Sequence, residues 1–377
     1  MNNKELGIYV HIPFCKSKCY YCDFVSYANS CYKIDDYIEQ VIKEIDKYDL
    51  KNYNITTIYI GGGTPSFIEE KYIQNLLNKL KNSLAENETK FENIEITIEL
   101  NPGTITKNKL EIYKKSGINR ISMGLQTTNN KLLKQIGRIH TYEQFLEGYK
   151  LVQEAGFENI NVDLMIGLPN QTIQDVKASI EEVVRLNPNH VSVYSLIIEE
   201  GTKMQKMVDS KELKLPDEEL ERQMYWYVKN KLELKGYNHY EISNFAKKQK
   251  ESKHNLNCWE QKEYIGLGAS AHSYLNAIRY SNTTFDENGK WDYTNKNIEE
   301  KQTVEDMKKE YMLLGLRKIE GISIQKFKEK YVDNPIFLFR EELEKLIQQD
   351  LIVIDGDWIR LTNKGIDFAN LVWEEFV

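Results

Sequence analysis

Six short runs rich in β-branched and aromatic residues punctuate the first half of the chain. They are 7–12 (GIYVHI), 56–61 (TTIYIG), 94–100 (IEITIEL), 120–126 (RISMGLQ), 160–166 (INVDLMI) and 190–196 (HVSVYSL). Amphipathic stretches such as 36–50, 69–84, 142–155 and 172–186 lie between them. A strand followed by a helix, repeated, builds a parallel sheet with right-handed crossovers. Six such units fall short of the eight that close a full barrel. The expectation is therefore α/β: an open, partial (β/α)6 barrel of the TIM type. Parallel folds gather ligands at the carboxyl ends of their strands, and the glycine-rich and polar segments fall there. GGGTPS (61–66), ELNPG (99–103), GLQ (124–126), DLMIGLPNQT (163–172) and YSLIIEEGT (194–202) each follow one run.

The segment after the first run is YVHIPFCKSKCYYCDF, residues 9–24. Cys15, Cys19 and Cys22 form a C-x3-C-x2-C pattern, and the 377-residue chain has only five cysteines. That is a metal site in a reducing compartment, the cytoplasm, and not a disulfide framework. His11 offers a fourth ligand for a structural Cys3His zinc site. Structural zinc usually draws on two separate ligand pairs, however, and here all three thiols share one loop. A compact iron–sulfur cluster suits a single loop better. Three thiolates on a four-iron cluster leave one iron open to a substrate or cofactor.

Composition narrows the partners. A net charge of −7 argues against nucleic acid or an anionic membrane as the main partner, though peripheral membrane contact stays open. No run approaches the ~18 apolar residues of a membrane span, and the start is too soon polar for a signal peptide.

The cysteine spacing, with an aromatic residue (Tyr21) before Cys22, resembles the signature of the radical S-adenosylmethionine (SAM) superfamily. The resemblance implies a 4Fe-4S cluster on Cys15, Cys19 and Cys22, with SAM on the open iron. It narrows further through YVHIPFC, GGGTPS, NRISMGLQT, DLMIGLPNQT, YEISNFA, GLGASAHS and RLTNKG to the oxygen-independent coproporphyrinogen III oxidase group and its relatives. Matched residue by residue, it places Tyr9, Tyr21, Gly62, Gly63, Thr64, Glu99, Gln126, Arg138, Asp163 and Ile197 against SAM. Read alone, these residues have plainer roles: a tight glycine turn, a cap, solvated loop positions, salt-bridge partners. A side chain added at Gly63 is expected to weaken SAM binding without removing iron.

Two departures separate this chain from the decarboxylating oxidases. Their fourth cysteine is replaced by Phe24, and the first strand begins too early for their N-terminal arm. Both features resemble the HemW-type heme chaperones. That likeness implies heme as a third ligand, a heme-accepting protein as partner, and little or no coproporphyrinogen oxidase activity; oligomeric state, monomer or dimer, stays open. HNLNCW (254–259) resembles a heme-associated H-N-x-x-Y-W element, with Cys258 in place of Tyr. His254 is the leading axial candidate and Cys258 a second; the plainer role for His254 is a bond to nearby backbone. His272 stands among glycines and small residues, either beside something bulky or buried in a core. His140 and His239 read as loop or packing residues, and Cys31 as an ordinary thiol.

Residues 1–210 are expected to form the barrel and 211–300 a covering and connecting region. Residues 301–377 are expected to form a winged-helix-like unit with a hairpin at Asp355-Gly356. Residues 210–235 look helical, and 282–303 look like an exposed loop.

Overall fold

The protein is described by a computed structural model covering residues 4–28, 30, 33–85 and 90–377. Cys31 lies outside the described residues.

A twelve-stranded sheet organises the larger part of the chain. In chain order its strands are β1 (Lys4–Ile12), β2 (Tyr53–Gly62), β3 (Glu95–Leu100), β4 (Arg120–Gln126), β5 (Asn159–Ile166), β6 (His190–Ser195), β7 (Asn238–Glu241), β8 (Asn244–Ala246), β9 (Glu263–Leu267), β10 (His272–Leu275), β11 (Ile278–Asn282) and β12 (Lys296–Lys301). Their spatial order is β12-β11-β10-β9-β1-β2-β3-β4-β5-β6-β8-β7. The six expected strands are all present and mutually parallel, and β9 adds a seventh beside β1, with Ile8 opposite Ile265. Antiparallel strands extend both edges.

Two-residue alternation explains why this sheet curls around a polar interior. Ile8, Val10, Ile58, Ile60, Ile96, Ile98 and Ile121 are 0% exposed and pack outward against the helices. Each such burial contributes about 1.5–3 kcal/mol. The residues between them, including Tyr9, Tyr59, Thr97, Glu99, Ser122, Asn161 and Asp163, turn to the inner face, where Tyr59 donates to Glu99 and Ser122, Asn161 and Asp163 form a network. Helices α1 (Ile34–Ile45), α2 (Glu70–Ser83), α3 (Lys107–Lys115), α4 (Asn130–Gln135), α5 (Tyr142–Glu154) and α6 (Ile173–Leu186) form the crossovers. Thr141 and Thr172 open α5 and α6 with capping boxes, which satisfy otherwise orphaned first-turn amides.

The structure corrects three sequence expectations. The helix expected over 36–50 ends at Ile45. Only Glu218–Leu234 of 210–235 is a long helix (α8, after α7 at Lys203–Asp209), because Pro216 precedes Asp217, whose side chain caps the Leu220 amide. Residues 282–303 are no simple loop. Lys296–Lys301 is the outermost strand, Trp291 is buried in the main core, and Lys296 pairs with the fully buried Glu44 carboxylate of α1.

Helix α9 (Lys253–Trp259) closes the barrel at the amino ends of the strands. Its Asn257 donates to Thr56 Oγ1 at 2.9 Å, and the His254 amide donates to Glu95. Beyond α10 (Val304–Gly315), a second core gathers Met312, Leu316, Phe327, Leu346, Ile359 and Val372. Its elements run helix, short strand, helices and the Ile352–Asp355/Trp358–Leu361 hairpin, the winged-helix order. Arg317 is sandwiched between Trp259 and Trp373, at 4.3 and 4.6 Å from their ring centres. Among the described residues no helix is long and apolar enough to cross a membrane.

Candidate functional site

The chain leaves β1 into the cysteine loop, and the glycine run at the end of β2 grips that exit. The Gly63 amide donates to Ile12 O and the Thr64 amide to Phe14 O, both at 2.9 Å. Phe14–Cys15 pairs with Tyr27–Ala28 as a minimal sheet, and Thr64 Oγ1 stands 3.5 Å from Cys15 Sγ. On the far side, the Tyr20 amide bonds Ile136 O while its carbonyl accepts from the Met204 amide. Tyr20 and Tyr21 pack on a small apolar cluster built on Leu132, Ile136, Met165, Leu168 and Met204. Arg138 Nη1 lies 3.6 Å from Cys19 Sγ.

This loop fits a cluster. Burial raises the Cys15 thiol and pushes Cys22 up to about 11, and the nearness of Cys19 adds to both. The three thiols share one short loop, tightened by the Cys22 amide donating to Cys19 O at 3.3 Å, and a shared cation would bind them as thiolates. The zinc alternative loses its fourth ligand: His11 Nδ1 meets the Tyr9 hydroxyl at 2.9 Å and Nε2 meets Val25 O at 2.8 Å. Among the described residues no three His, Cys, Asp or Glu side chains close around a point as one metal ion requires.

Beside the loop, the other strand ends supply a polar cradle. Gly62 has φ +112°, a left-handed conformation that glycine adopts freely, and a Cβ there would lie 2.6 Å from the His11 ring. Glu99 accepts from the Tyr59 hydroxyl at 2.9 Å, and Asp163 is held by Ser122 and Asn161 at 3.1 and 2.7 Å. Gln126 sits in the left-handed region at φ 69°, next to the bulge between β4 and β5. Such an outlier costs about 1–3 kcal/mol and clusters at ligand sites. Arg138 Nη2 donates to Gly124 O at 3.1 Å, while its Nε is buried without a partner. Tyr21 lies against Arg138 and Cys19, and Ile197 is 66% exposed just beyond β6. The residues expected to contact SAM therefore lie on the barrel strands, on the cysteine loop and in the segments that follow the strand ends. Among them the Tyr9 hydroxyl is already bonded to His11, and the Gly63 and Thr64 amides are occupied.

Glu99 gives this mouth a pH dependence. Burial first, and then the Asp163 charge, raise its carboxyl to about 7. An ionised carboxylate accepts a ligand hydroxyl more strongly than a protonated one, so a ligand that prefers the ionised form has to displace a proton below pH 7. SAM affinity is expected to fall about tenfold per pH unit below 7, and Glu99→Gln to flatten that slope. Titration calorimetry from pH 5.5 to 8.5 reads both; an unchanged slope in the variant removes Glu99 from the contact.

His254 and Cys258 share helix α9, whereas His272 stands apart at the start of β10. His254 is buried at the barrel floor, its Nδ1 2.8 Å from Thr57 Oγ1, and burial lowers it to about 4. Burial pushes the Cys258 thiol to about 11. His272 is neither pressed nor buried: its side chain is 62% exposed and faces Glu299. His140 and His239 are packing residues inside the fold, as expected of them. Sequence reasoning missed the inner polar network, in which His190 bridges Asn161 and the Tyr240 hydroxyl at 2.7 and 2.8 Å. Its signal was the polar residue at every second position of INVDL and HVSVY.

Comparison with known proteins agrees with this geometry. The Radical SAM superfamily model matches residues 9–183, and the HemN C-terminal domain model matches 302–368. The chain is 40% identical to the heme chaperone HemW of Lactococcus lactis over 380 residues, covering 100% of this chain and 98% of that protein. It is 37% identical to HemW of Bacillus subtilis (98% of both) and 32% identical to HemW of Escherichia coli (99% and 98%). The solved structure of the E. coli coproporphyrinogen III oxidase HemN shares the fold with a TM-score of 0.82 at 23% identity, covering 100% of this chain and 90% of that one. With relatives above 30% identity along its whole length, the chain belongs to the HemW family of the radical SAM superfamily.

Proposed function

We propose that this protein is a heme chaperone: it binds heme and passes it to an acceptor protein, and it carries a 4Fe-4S cluster and SAM at the barrel mouth. The observation that carries the reading is end-to-end similarity to HemW proteins in a chain with Phe24 at the position of the oxidases' fourth cysteine. Phe24 is 61% exposed, so the position offers an apolar surface where a thiol would stand. The unpaired thiols of Cys15, Cys19, Cys22 and Cys258 suit a reducing cytoplasm.

Cys15, Cys19 and Cys22 would hold the cluster, which when bound supplies an open iron and an electron for SAM. The chain's own groups do the rest. Arg138 sets a positive charge beside Cys19 and Gly124. Gly62 and Gly63 keep side-chain bulk away from the loop, and Glu99 and Asp163 present oxygens toward the adenosyl end. These are binding and orienting roles; no residue is assigned to attack a propionate.

A paired assay on anaerobically reconstituted protein tests the reading. Heme is expected to bind stoichiometrically, while coproporphyrinogen III with SAM and a reductant yields no protoporphyrinogen IX above background. Near-attack positioning accounts for a large share of such catalysis, so turnover should lie orders of magnitude below that of an oxidase. Robust SAM-dependent decarboxylation would move the protein to the enzyme reading.

A further inference from the structure

Resting on the heme reading only for the source of the ligand, we propose that Arg317, held between the indoles of Trp259 and Trp373, is a binding site for a carboxylate. Arg138, Arg185, Arg222, Arg279, Arg340 and Arg360 each hold a hydrogen bond or an ion pair. Among the described residues, Arg120 and Arg317 hold neither, and the Nε of each is buried without a partner. A guanidinium drawn out of water is costly unless it is paired and hydrogen-bonded. Arg120 is offset from within the barrel, where the Glu99 and Asp163 carboxyls both feel its charge. Arg317 has one acidic neighbour, Glu241, and makes no ion pair with it. Glu241 Oε1 accepts from Asn244 and from the Ser243 amide, and burial raises the group to about 7. Much of the charge on Arg317 is therefore left without a counterion.

Three elements meet at this side chain. After α10 the chain runs beside the outermost strand β7: the Ile242 amide donates to Arg317 O and the Ile319 amide to Tyr240 O, both at 3.1 Å. Floor helix α9 ends in Trp259, and the last helix (Ala369–Glu374) carries Trp373. The guanidinium carbon lies 4.3 Å and 4.6 Å from the two ring centres. Stacking occupies the faces of a guanidinium and leaves its five N–H donors, which lie in its plane, available. That planar fork matches a carboxylate bidentately. The indole N–H groups of Trp259 and Trp373 are likewise buried without partners, whereas Trp226 gives its own to Asp367 at 2.8 Å. Arg222 shows the completed arrangement at the same domain boundary. Its guanidinium lies 5.9 Å from the Phe368 ring and pairs with the Asp367 carboxylate at 2.8 Å.

Arg317 is half-buried, so a carboxylate on a flexible arm can reach it without the rest of its molecule entering the protein. Under the chaperone reading that group is a heme propionate; a free dicarboxylate presents the same chemistry. A propionate held here would link the cargo to the C-terminal unit through Trp373.

The test uses full-length, cluster-loaded protein and three probes: ferric heme, its dimethyl ester with both propionates capped, and succinate. The Soret band reads the first two and tryptophan fluorescence the third. Wild type, Arg317→Met, Arg317→Lys and Trp373→Phe are compared; the main-chain bonds at Arg317 and Ile319 do not involve the replaced side chains. Wild type is expected to bind heme about 10- to 100-fold more tightly than the ester, the range of a charge-assisted pair. Arg317→Met should erase that preference without altering the Soret line shape. Arg317→Lys should restore part of it, and Trp373→Phe should reduce it by a smaller factor. If the source is a free carboxylate, heme and ester bind alike, and succinate gives a saturable fluorescence change that Arg317→Met abolishes. A preference for heme that survives in Arg317→Met, with no succinate response that depends on Arg317, overturns the site and leaves the chaperone reading intact. A wild type that binds no heme overturns the chaperone reading, and the succinate arm then decides the site alone.

Discussion

Replacing any one of Cys15, Cys19 or Cys22 with alanine is expected to leave a folded protein without its cluster, iron falling to background in anaerobically reconstituted samples. The effect should be all-or-none. Two thiolates cannot hold a cube of four irons whose fourth corner is already open, and His11 cannot substitute because both of its ring nitrogens are occupied. The fold should survive: the Ile, Val and Leu layer outside the sheet does not include the loop, and Cys19 and Cys22 are only partly buried. Iron analysis beside far-UV circular dichroism separates the two effects. Stoichiometric zinc with no iron in the wild type would sink the assignment.

Gly63→Val is expected to remove iron as well as SAM, a wider loss than the sequence alone leads one to expect. A Cβ on Gly63 would lie 2.9 Å from Cys15 Sγ, 3.0 Å from Phe14 O and 3.1 Å from Ile12 O. Two of those neighbours are backbone atoms of the segment that carries Cys15 into the loop, so they cannot swing aside. The glycine is therefore required by the cysteine it touches, before any cofactor arrives. Overpacking of this kind costs about 1–3 kcal/mol, a ~5- to 150-fold loss in any equilibrium that needs the native loop. Iron and SAM should fall together in Gly63→Val, and Gly63→Ala should show the same coupling more weakly. A valine variant with full iron and weakened SAM would restore the simpler view of the glycine run.

The barrel strands were readable because each carries its own alternation. Arg120–Gln126 and Asn159–Ile166 show outward Ile, Met or Val between inward Ser, Asn or Asp, and their boundaries fell within a residue or two of expectation. Strand β9 was not readable: it has five residues, one of them Gly266, and β-propensity is weak over so short a run. Its place beside β1 is decided by a partner far along the chain. The same holds for the site. Cys15, Cys19 and Cys22 announce themselves by spacing. The burial of His254 depends on α9 docking under β2, and the neighbour of the exposed His272 depends on Glu299 arriving from another strand; no local pattern encodes either. Residues 282–303 misled for a related reason: their polar composition suits a loop, but the buried Glu44 carboxylate recruits Lys296 and fixes the edge.

The pairing of β1 with β9 joins Leu6 to Glu263, and this bears on how the protein is made. Ribosomes add roughly 5–20 residues per second, so one edge of the first strand stays without its neighbour for tens of seconds after it emerges. Such distant pairings are slow to form and leave strand edges open to wrong partners. Through that interval the cysteine loop hangs from a half-finished sheet, its thiols unguarded against oxidation or stray metal. Iron–sulfur assembly on this protein is therefore expected only once residues 263–267 have emerged and paired, and nascent chains stalled short of residue 263 would be the ones at risk of mismetallation.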